Sequence, residues 1–323
     1  MKLDAYDKKI LEILLGNSRE PISSISKKIR LRRENTNYRI NRLLKKRIIK
    51  GFNTIFNNEL LNMDHYGVFL EMRNLNAETE TKILQILEKD PYVTWMGVSA
   101  GKWSIVFDLM APRNKDLDKI LRAMLDKLGD FVINYVAQKI YDAEHYQQKI
   151  IGLRYVPKKQ PDKKPKIKLD KIDWKIITLL NQNSRTSYVD IAVKTKLTPN
   201  AITNRIKNLE KAGYIYGYSI TIDWKKFGYE WYGIQFKTNK FDKKTEEKIT
   251  EYLRNHPRLI FSYKYVGGAW DYDVGIIVKN SNEIRDFINE FRSVFSKEIR
   301  ITDVFIVLDQ LTMYELPKGI LDS

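Results

Sequence analysis

The clearest pattern in the chain is a set of apolar residues at helical spacing. Within residues 169–217, apolar positions recur every three or four residues, as on one buried face of a helix. A polar break at Asn183-Ser184-Arg185 separates a first helix from a second. Thr198-Pro199 begins a third helix, with a capping hydroxyl before a proline at the first helical position, and Gly213 ends it. A β-prone run over 214–222 follows, so the stretch predicts a winged helix-turn-helix.

The same pattern begins at the N-terminus. Shifting the chain by 166 residues places 3–51 on 169–217 without a gap, and 18 of the 49 positions are identical. Chance would give about three identities, so the chain carries an internal duplication. In the first copy, the third helix is predicted from about Arg33 to Lys46.

After each wing the pattern changes to strand, helix, strand, strand, helix, strand, which predicts a ferredoxin-like βαββαβ domain. The predicted strands are 66–72, 93–98, 103–110 and 131–141 in the first half, and 232–238, 259–266, 272–278 and 299–308 in the second. The predicted helices between them are 77–89, 115–128, 243–255 and 281–295. The predicted fold class is therefore α+β, a winged helix-turn-helix followed by a ferredoxin-like domain, with the pair repeated.

This reading divides the chain into five segments. They are a first winged domain at 1–56, a first ferredoxin-like domain at 57–153, a linker at 154–168, a second winged domain at 169–224 and a second ferredoxin-like domain at 225–323. The linker has prolines four residues apart and many lysines, which predicts an extended, hydrated spacer.

The net charge of +17 indicates a polyanionic partner, and its distribution indicates where that partner binds. The first winged domain carries +10, the linker +6 and the second winged domain +3, whereas the two ferredoxin-like domains carry −3 and +1. The chain has no cysteine, and we find no signal-peptide core and no apolar run of membrane length. We therefore expect a soluble, cytoplasmic protein that contacts no membrane.

The third helix of each winged domain supplies the candidate DNA contacts, because its apolar face leaves hydrogen-bonding and basic side chains outward. The candidates are Arg32, Arg33, Asn37, Tyr38, Asn41 and Arg42 in the first copy, and Thr198, Asn200, Thr203, Asn204 and Lys207 in the second. Two plainer interpretations stay open: a three-helix bundle with no nucleic-acid role, and a merely solvated basic face.

The second copy also resembles a known family. Leu169, Asp170, Asp173, Ile176 and Leu179, then Asn183-Ser184-Arg185, Ile191-Ala192, Leu197-Thr198, Arg205-Ile206, Leu209-Glu210, Gly213-Tyr214-Ile215 and Gly217-Tyr218 look like the Lrp/AsnC regulators of bacteria and archaea. The resemblance implies a sequence-specific transcriptional regulator that binds double-stranded DNA. The first copy departs from it, with Arg32-Arg33 in place of Thr198-Pro199 and Arg47 in place of Gly213.

In this family the ferredoxin-like domain is the effector-binding and oligomerisation domain, called RAM, and a Gly-x-aromatic-Asp turn marks it. The second copy has Gly268, Trp270 and Asp271 at that turn, so the resemblance implies that these residues contact a small effector such as an amino acid. The first copy reads Gly101-Lys102-Trp103-Ser104 and lacks the acid. The alternative is that glycine and aspartate only shape the turn.

We predict neither an enzyme nor a metal or cofactor site. The sequence has no phosphate-binding loop, nucleophile elbow or paired histidines, and its three histidines, His65, His145 and His256, are far apart. One enzymatic alternative stays open, because the sirohaem decarboxylases look like fused pairs of this architecture. Such an enzyme would need a basic, histidine-bearing cavity, and the near-neutral charge of the RAM-like domains argues against one.

A ferredoxin-like sheet leaves one face uncovered by its helices. We therefore expect the two RAM-like domains of one chain to pack on each other as an intramolecular pseudo-dimer. Since the recognition helices differ, the operator should have two unlike half-sites one or two helical turns apart. Further association into a homo-oligomer through other surfaces stays open.

Overall fold

The computed structural model describes residues 3–73, 75–113, 117–146, 167–240 and 242–318. The chain divides into two compact units, and each unit draws on both halves of the sequence. The winged unit comprises the described residues of 1–63, 151–227 and 314–323, and the barrel unit those of 64–150 and 228–313. Most of the predicted linker lies outside the described residues. Within them, no helix is both long and apolar enough to cross a membrane.

The winged unit contains the two predicted winged helix-turn-helix copies. The first has helices α1 (Ala5–Gly16), α2 (Ile22–Ile29) and α3 (Arg33–Lys45) and strand β1 (Ile49–Phe56). The second has α6 (Lys171–Gln182), α7 (Tyr188–Thr195), α8 (Pro199–Lys211) and β6 (Ile215–Ile222). The two wings, β1 and β6, pair with each other as an antiparallel two-stranded sheet. Each wing therefore gains its hydrogen-bond partner from the other copy.

Local sequence explains where these helices begin. The Asp170 carboxylate accepts hydrogen bonds from the first-turn amides of α6, and the Asp173 carboxylate accepts one from the Asp170 backbone amide, which completes a capping box. Thr198 caps α8 ahead of Pro199, as the sequence predicts. Arg47 takes the left-handed backbone conformation (φ +53°) that Gly213 takes in the second copy (φ +84°). The departure at Arg47 therefore leaves the end of the helix unchanged.

Among its described residues, the barrel unit contains four α-helices, a short 3-10 helix (Gly129–Phe131) and eight strands. Its first half has β2 (Met63–Met72), α4 (Ala77–Lys89), β3 (Val93–Ala100), β4 (Ile105–Pro112), α5 (Leu117–Leu128) and β5 (Val132–His145). Its second half has β7 (Glu230–Thr238), α9 (Lys243–Asn255), β8 (Leu259–Tyr265), β9 (Tyr272–Val278), α10 (Ser281–Val294) and β10 (Ile299–Met313). Both halves follow the predicted βαββαβ order.

The two four-stranded sheets join edge to edge into one closed barrel, in the order β10-β3-β4-β2-β5-β8-β9-β7. Within each half the strands keep the ferredoxin-like order. The halves meet where β5 pairs with β8 and where β10 pairs with β3, both antiparallel. The sheet face that the helices leave uncovered thus becomes the interior of the barrel.

Alternation along each strand separates the two faces of the sheet. Even-numbered residues of β2 and β7, such as Val68 and Ile234, pack beneath the helices of their own half. The odd-numbered neighbours point into the barrel, where Phe69, Trp103 and Trp270 form an aromatic cluster. The barrel therefore has one core outside each half-sheet and a third, shared core inside.

Candidate nucleic-acid interface and effector turn

The first recognition helix, α3, presents most of its predicted contacts to solvent. Thr36, Ile40 and Leu43 are buried and fix which face of the helix is inward. The side chains of Arg32, Arg33, Asn37, Tyr38 and Asn41 are exposed, and Tyr38 is exposed by 67% although it is a large aromatic. An exposed surface of arginine, asparagine and tyrosine is suited to both phosphates and base edges.

Arg42 does not point outward as the sequence predicts. Its Nη2 atom lies 2.6 Å from Oδ2 of Asp7, a carboxylate that is only 2% exposed. Arg39 reaches the same carboxylate at 2.9 Å. Because a buried carboxylate needs a cationic partner, Arg42 is held toward α1 and its charge is already compensated. The helical periodicity could not reveal this, since Asp7 lies far from Arg42 in sequence.

On the second recognition helix, α8, three of the predicted contact residues are exposed, and the two threonines make local hydrogen bonds. Asn200, Asn204 and Lys207 are exposed. The Thr203 hydroxyl donates to the Pro199 carbonyl at 2.9 Å, so it has only acceptor capacity left. The Thr198 hydroxyl accepts from the Ala201 amide at 3.2 Å and still has a proton to donate.

Each recognition helix is fastened to the start of its own first helix by the same ion pairs. Arg39 binds Asp4 at 2.7 Å as well as Asp7, and Arg205 binds Asp170 at 2.8 Å and Asp173 at 2.7 Å. The pKa of the Asp4 carboxyl is lowered, chiefly by the hydrogen bond from the Asp7 amide, with Arg39 adding to that effect against a contribution from burial. Sequence reasoning missed this role, although these residues are identical in both copies.

A reciprocal contact joins the two winged copies. The Ser18 and Ser184 hydroxyls are fully buried, and their oxygens lie 2.6 Å apart. Arg19 donates to the Ser184 carbonyl, and Arg185 donates to the Ser18 carbonyl at 2.7 Å. Burial and the nearby Arg19 charge lower the pKa of Arg185. The repeated Asn-Ser-Arg motif therefore holds the copies together, and both recognition helices belong to one compact unit.

The predicted effector turn is tight and is held by internal hydrogen bonds. Gly268 has a φ of +98°, which favours glycine, and Trp270 is 1% exposed inside the barrel. One oxygen of Asp271 accepts hydrogen bonds from the Thr238 amide at 2.7 Å and the Thr238 hydroxyl at 2.9 Å. In the described structure, therefore, Trp270 and this Asp271 oxygen are committed to internal contacts.

Gln138, from the other half of the barrel, grips the same turn. Its Nε2 donates to the carbonyls of Gly267 at 2.9 Å and Trp270 at 3.0 Å, and its Oε1 accepts from the Ala269 amide at 2.8 Å. In the first copy, the Ser104 hydroxyl accepts from the Met72 amide at 3.2 Å, as Asp271 accepts from Thr238. The Ser104 hydroxyl thus makes the turn contact in the first copy that the Asp271 carboxylate makes in the second.

Two family models match the chain where the winged copies lie. Residues 169–216 match a model described as winged helix-turn-helix DNA-binding, and residues 3–44 match the AsnC-type helix-turn-helix domain. The transcriptional regulator LrpC of Bacillus subtilis is 34% identical over 124 residues, covering 38% of this chain and 84% of LrpC. An uncharacterised HTH-type regulator of Pyrococcus abyssi is 32% identical over 143 residues, covering 44% of this chain and 92% of its own. Each relative thus corresponds to about one half of the duplicated chain.

A solved structure is similar over almost the whole chain. The siroheme decarboxylase NirDL has a TM-score of 0.63 and 11% sequence identity, covering 97% of this chain and 94% of its own. At that identity the likeness concerns the fold alone. Among the residues that the structure describes, no group of three or more histidine, aspartate or glutamate side chains could hold a metal ion.

Proposed function

The chain belongs to the Lrp/AsnC family of transcriptional regulators, and we propose that its two winged copies bind one stretch of double-stranded DNA together. The observation that carries this proposal is the buried Ser18–Ser184 contact, flanked by Arg19 and Arg185, which sits between two copies whose recognition helices expose basic and amide side chains. A rigid pair of reading helices matches DNA at a fixed spacing, as in dimeric helix-turn-helix proteins.

Affinity and specificity come from different side chains in this proposal. Arg32, Arg33 and Lys207 neutralise phosphates, which gives sequence-independent and salt-dependent binding. Asn37, Tyr38 and Asn41 in the first copy, and Asn200 and Asn204 in the second, contact base edges or orient the helix on the backbone. Thr198 donates to a phosphate, and Thr203 accepts from a base. Arg42 is left out of this set because it binds Asp7.

A single chain acts as the equivalent of a dimer. The paired wings and the edge-to-edge closure of the barrel support this proposal, since each half supplies the partner strand that the other half needs. The two recognition helices expose different residues, so the operator has two unlike half-sites. A homo-oligomer of such chains would place further operators side by side without changing this arrangement.

The turn at Gly268, Trp270 and Asp271 is the proposed site of an amino-acid effector, reached from the outer edge of the turn. Only one oxygen of Asp271 is committed to Thr238, which leaves the other for a ligand ammonium group. Asp271→Ser keeps the turn contact that Ser104 makes in the first copy and removes that free oxygen. If an amino acid changes DNA affinity in the parent and equally in Asp271→Ser, the effector does not bind at this carboxylate.

We propose that the chain is not an enzyme. The likeness to NirDL is one of fold, and the candidate interface described above is basic and faces solvent. Sirohaem supplies the discriminating test: the parent chain should give no shifted absorption band on incubation with it, and a saturable shift would favour the decarboxylase alternative.

The experiment for the proposed function is selection of operators from a randomised duplex library, followed by gel shifts at fixed salt. The selected duplex should bind at least about a thousandfold more tightly than unrelated DNA, as specific regulators do. Equal affinity for both would reduce the chain to a non-specific DNA-binding protein.

A further inference from the structure

One end of the barrel interior is unlike the other. At the closed end, Phe69, Trp103, Tyr265, Trp270 and Phe305 are each at most 4% exposed. At the opposite end, the inward-facing Trp95, Trp231, Phe261, Tyr263, His65 and Asp108 all keep partial solvent exposure, and His145 is exposed. These residues lie at the starts of β2, β3, β7 and β8 and towards the ends of β4 and β5, which form one rim of an antiparallel barrel. We call this partly exposed end of the barrel interior the rim recess.

Aromatic rings line the rim recess in continuous contact. The ring centroids of Trp95 and Trp231 are 5.4 Å apart, those of Trp231 and Phe261 5.8 Å, and those of Phe261 and Tyr263 4.7 Å. His145 packs against Tyr263 at 6.2 Å in an edge-to-face arrangement. The ring faces of tryptophan and tyrosine carry negative potential, which attracts cations.

A carboxylate stands among these rings without a strong cation. The Asp108 side chain is 14% exposed, and its Oδ2 lies 3.2 Å from His65 Nε2 and 3.5 Å from the Tyr263 hydroxyl. Within the described residues, no lysine or arginine side chain lies among the inward-facing positions at this end of the barrel. A carboxylate that is largely removed from water is stabilised by a positive charge, and the inward-facing described residues at this end include no lysine or arginine to supply one.

Polar atoms without partners concentrate in the same interior. Seven buried side-chain nitrogen or oxygen atoms lack a hydrogen-bond partner among the described residues, and six of them belong to barrel residues. One of the six is His65 Nε2, which lies 3.2 Å from Asp108 Oδ2 without hydrogen-bond geometry, and three belong to the deeply buried Gln235, Tyr265 and Trp270. The other two are Trp231 Nε1 in the recess wall and Asp273 Oδ1 beneath it. Native interiors pair nearly all such atoms, so these atoms call for partners that the described side chains do not supply, such as water or a ligand. Among the described residues of the winged unit, one buried atom, Arg42 Nε, lacks a hydrogen-bond partner.

Burial also dominates the electrostatics of two titratable side chains in this part of the barrel. Burial, and then the neighbouring Asp108, raise the pKa of the Asp273 carboxyl. Burial lowers the pKa of His145.

The duplication shows that these residues are not required by the fold. Asp108 corresponds to Gly275 in the other half, because each lies opposite the equivalent residue of the neighbouring strand, Trp95 and Phe261 respectively. Likewise His65 corresponds to Trp231, at the same position of β2 and β7. The same barrel position thus accepts glycine or aspartate, and one half alone contributes the carboxylate.

We propose that the rim recess binds a small organic cation, with its charged nitrogen against the aromatic rings and beside Asp108. The ligand class is an amine or quaternary ammonium compound without a carboxylate, because a carboxylate would meet Asp108 with no arginine or lysine to offset it. This site is separate from the effector turn at Gly268 and does not depend on DNA binding.

The test is calorimetric titration of the full chain, without DNA, using cations and their neutral isosteres. Choline is matched with 3,3-dimethylbutan-1-ol, and ethanolammonium with propan-1-ol, so each pair differs in charge and little in shape. At least one cation should bind saturably and about tenfold more tightly than its isostere. Glycine betaine, which adds a carboxylate to the choline nitrogen, should bind more weakly than choline. If neither cation exceeds its isostere, the proposal is wrong.

Variants locate the site. Asp108→Asn should weaken binding of the preferred cation at least about tenfold, and Asp126→Asn, which removes the same charge from the exposed surface of α5, should leave binding unchanged. Trp231→Leu provides a second wall variant that should weaken the cation more than the isostere, and thermal unfolding of each variant verifies the fold. Equal losses in Asp108→Asn and Asp126→Asn, or losses in neither wall variant, would place the cation elsewhere and overturn the proposal.

Discussion

At equivalent positions of their recognition helices, the first winged copy exposes Asn37 and Tyr38 where the second has Thr203 and Asn204. Beneath those surfaces the copies remain the same, with an arginine of the recognition helix bound to two carboxylates of the first helix in each. The ion pairs inside each copy have been kept, and the exposed surfaces of the third helices have diverged. The two halves of the barrel differ in the same way. Their helix-facing positions stay apolar in both halves, whereas inward-facing positions differ, as Asp108 and Gly275 do.

The largest effect is expected from the two arginines at the start of the first recognition helix, which have no counterpart in the second copy. Replacing Arg32 and Arg33 by alanine should weaken operator binding by roughly 3 kcal/mol, or about a hundredfold, because two charged contacts are lost. The slope of log K against log salt should become shallower by about 1.8. Gel shifts across a salt series measure both. Lys243→Ala with Lys244→Ala removes the same charge from α9, and an equal change there would point to net charge alone.

A smaller effect assigns each helix to its half-site. Asn204→Ala should cost roughly 1–3 kcal/mol on the selected operator and much less on unrelated DNA, if its amide contacts a base edge. Tyr38→Ala should alter protection at the opposite half of the operator, since it occupies the same position in the other copy. Footprints of each variant on the selected operator show which half-site loses protection. If both variants change protection in the same half-site, the assignment of one helix to each half-site is wrong.

Arg42 offers a test of stability at a position where the copies differ. Arg42→Ala leaves Asp7 with Arg39 alone, so we expect the free energy of unfolding to fall by about 1–2 kcal/mol. Asn208 is the residue of the second copy that corresponds to Arg42, and it is exposed. Asn208→Ala should change the free energy of unfolding by less than about 0.5 kcal/mol. Denaturant titrations compare the two. Equal, small effects would mean that Arg39 suffices for Asp7.

Asp273 gives a pH-dependent effect inside the barrel. Its folded pKa is raised, so its contribution to stability is present below about pH 4 and is lost as the pH rises through the folded value. After burial, Asp108 is the titratable group that raises the pKa of Asp273, and Asp273 in turn helps to raise the pKa of Tyr265, which burial raises most. Above pH 4, the free energy of unfolding of Asp273→Asn should therefore rise relative to that of the parent by up to about 1 kcal/mol per pH unit. Unfolding measured from pH 4 to 8 tests this, and a constant difference would contradict it.

Local patterns predicted the elements well where helices are amphipathic. The predicted bounds of α4 and α9 are confirmed at both ends, and α3 differs by one residue. Strand ends were less accurate, because β5 and β10 extend to His145 and Met313 to pair with strands of the other half. Such pairing depends on residues far apart in sequence. For the same reason, the edge-to-edge closure of the barrel could not be predicted.

The candidate interface was predictable only in part. Helical periodicity placed Arg33, Asn37 and Asn204 on exposed faces, which the structure confirms. It misplaced Arg42, because ion pairing to a distant carboxylate does not follow periodicity. The Arg19 and Arg185 contacts were missed, although exact repetition of Asn-Ser-Arg was a usable signal: identity between diverged copies marks residues whose geometry both copies need.

The central claim, that one chain reads two unlike half-sites, can be tested by sedimentation of the chain with its selected operator. Mass and footprint should be determined on the same complex, at concentrations where the free chain is monomeric. We predict one chain per duplex, protection of both half-sites, and half-sites that differ in sequence. Two chains on a symmetric palindrome, with neither half protected by one chain, would contradict the account.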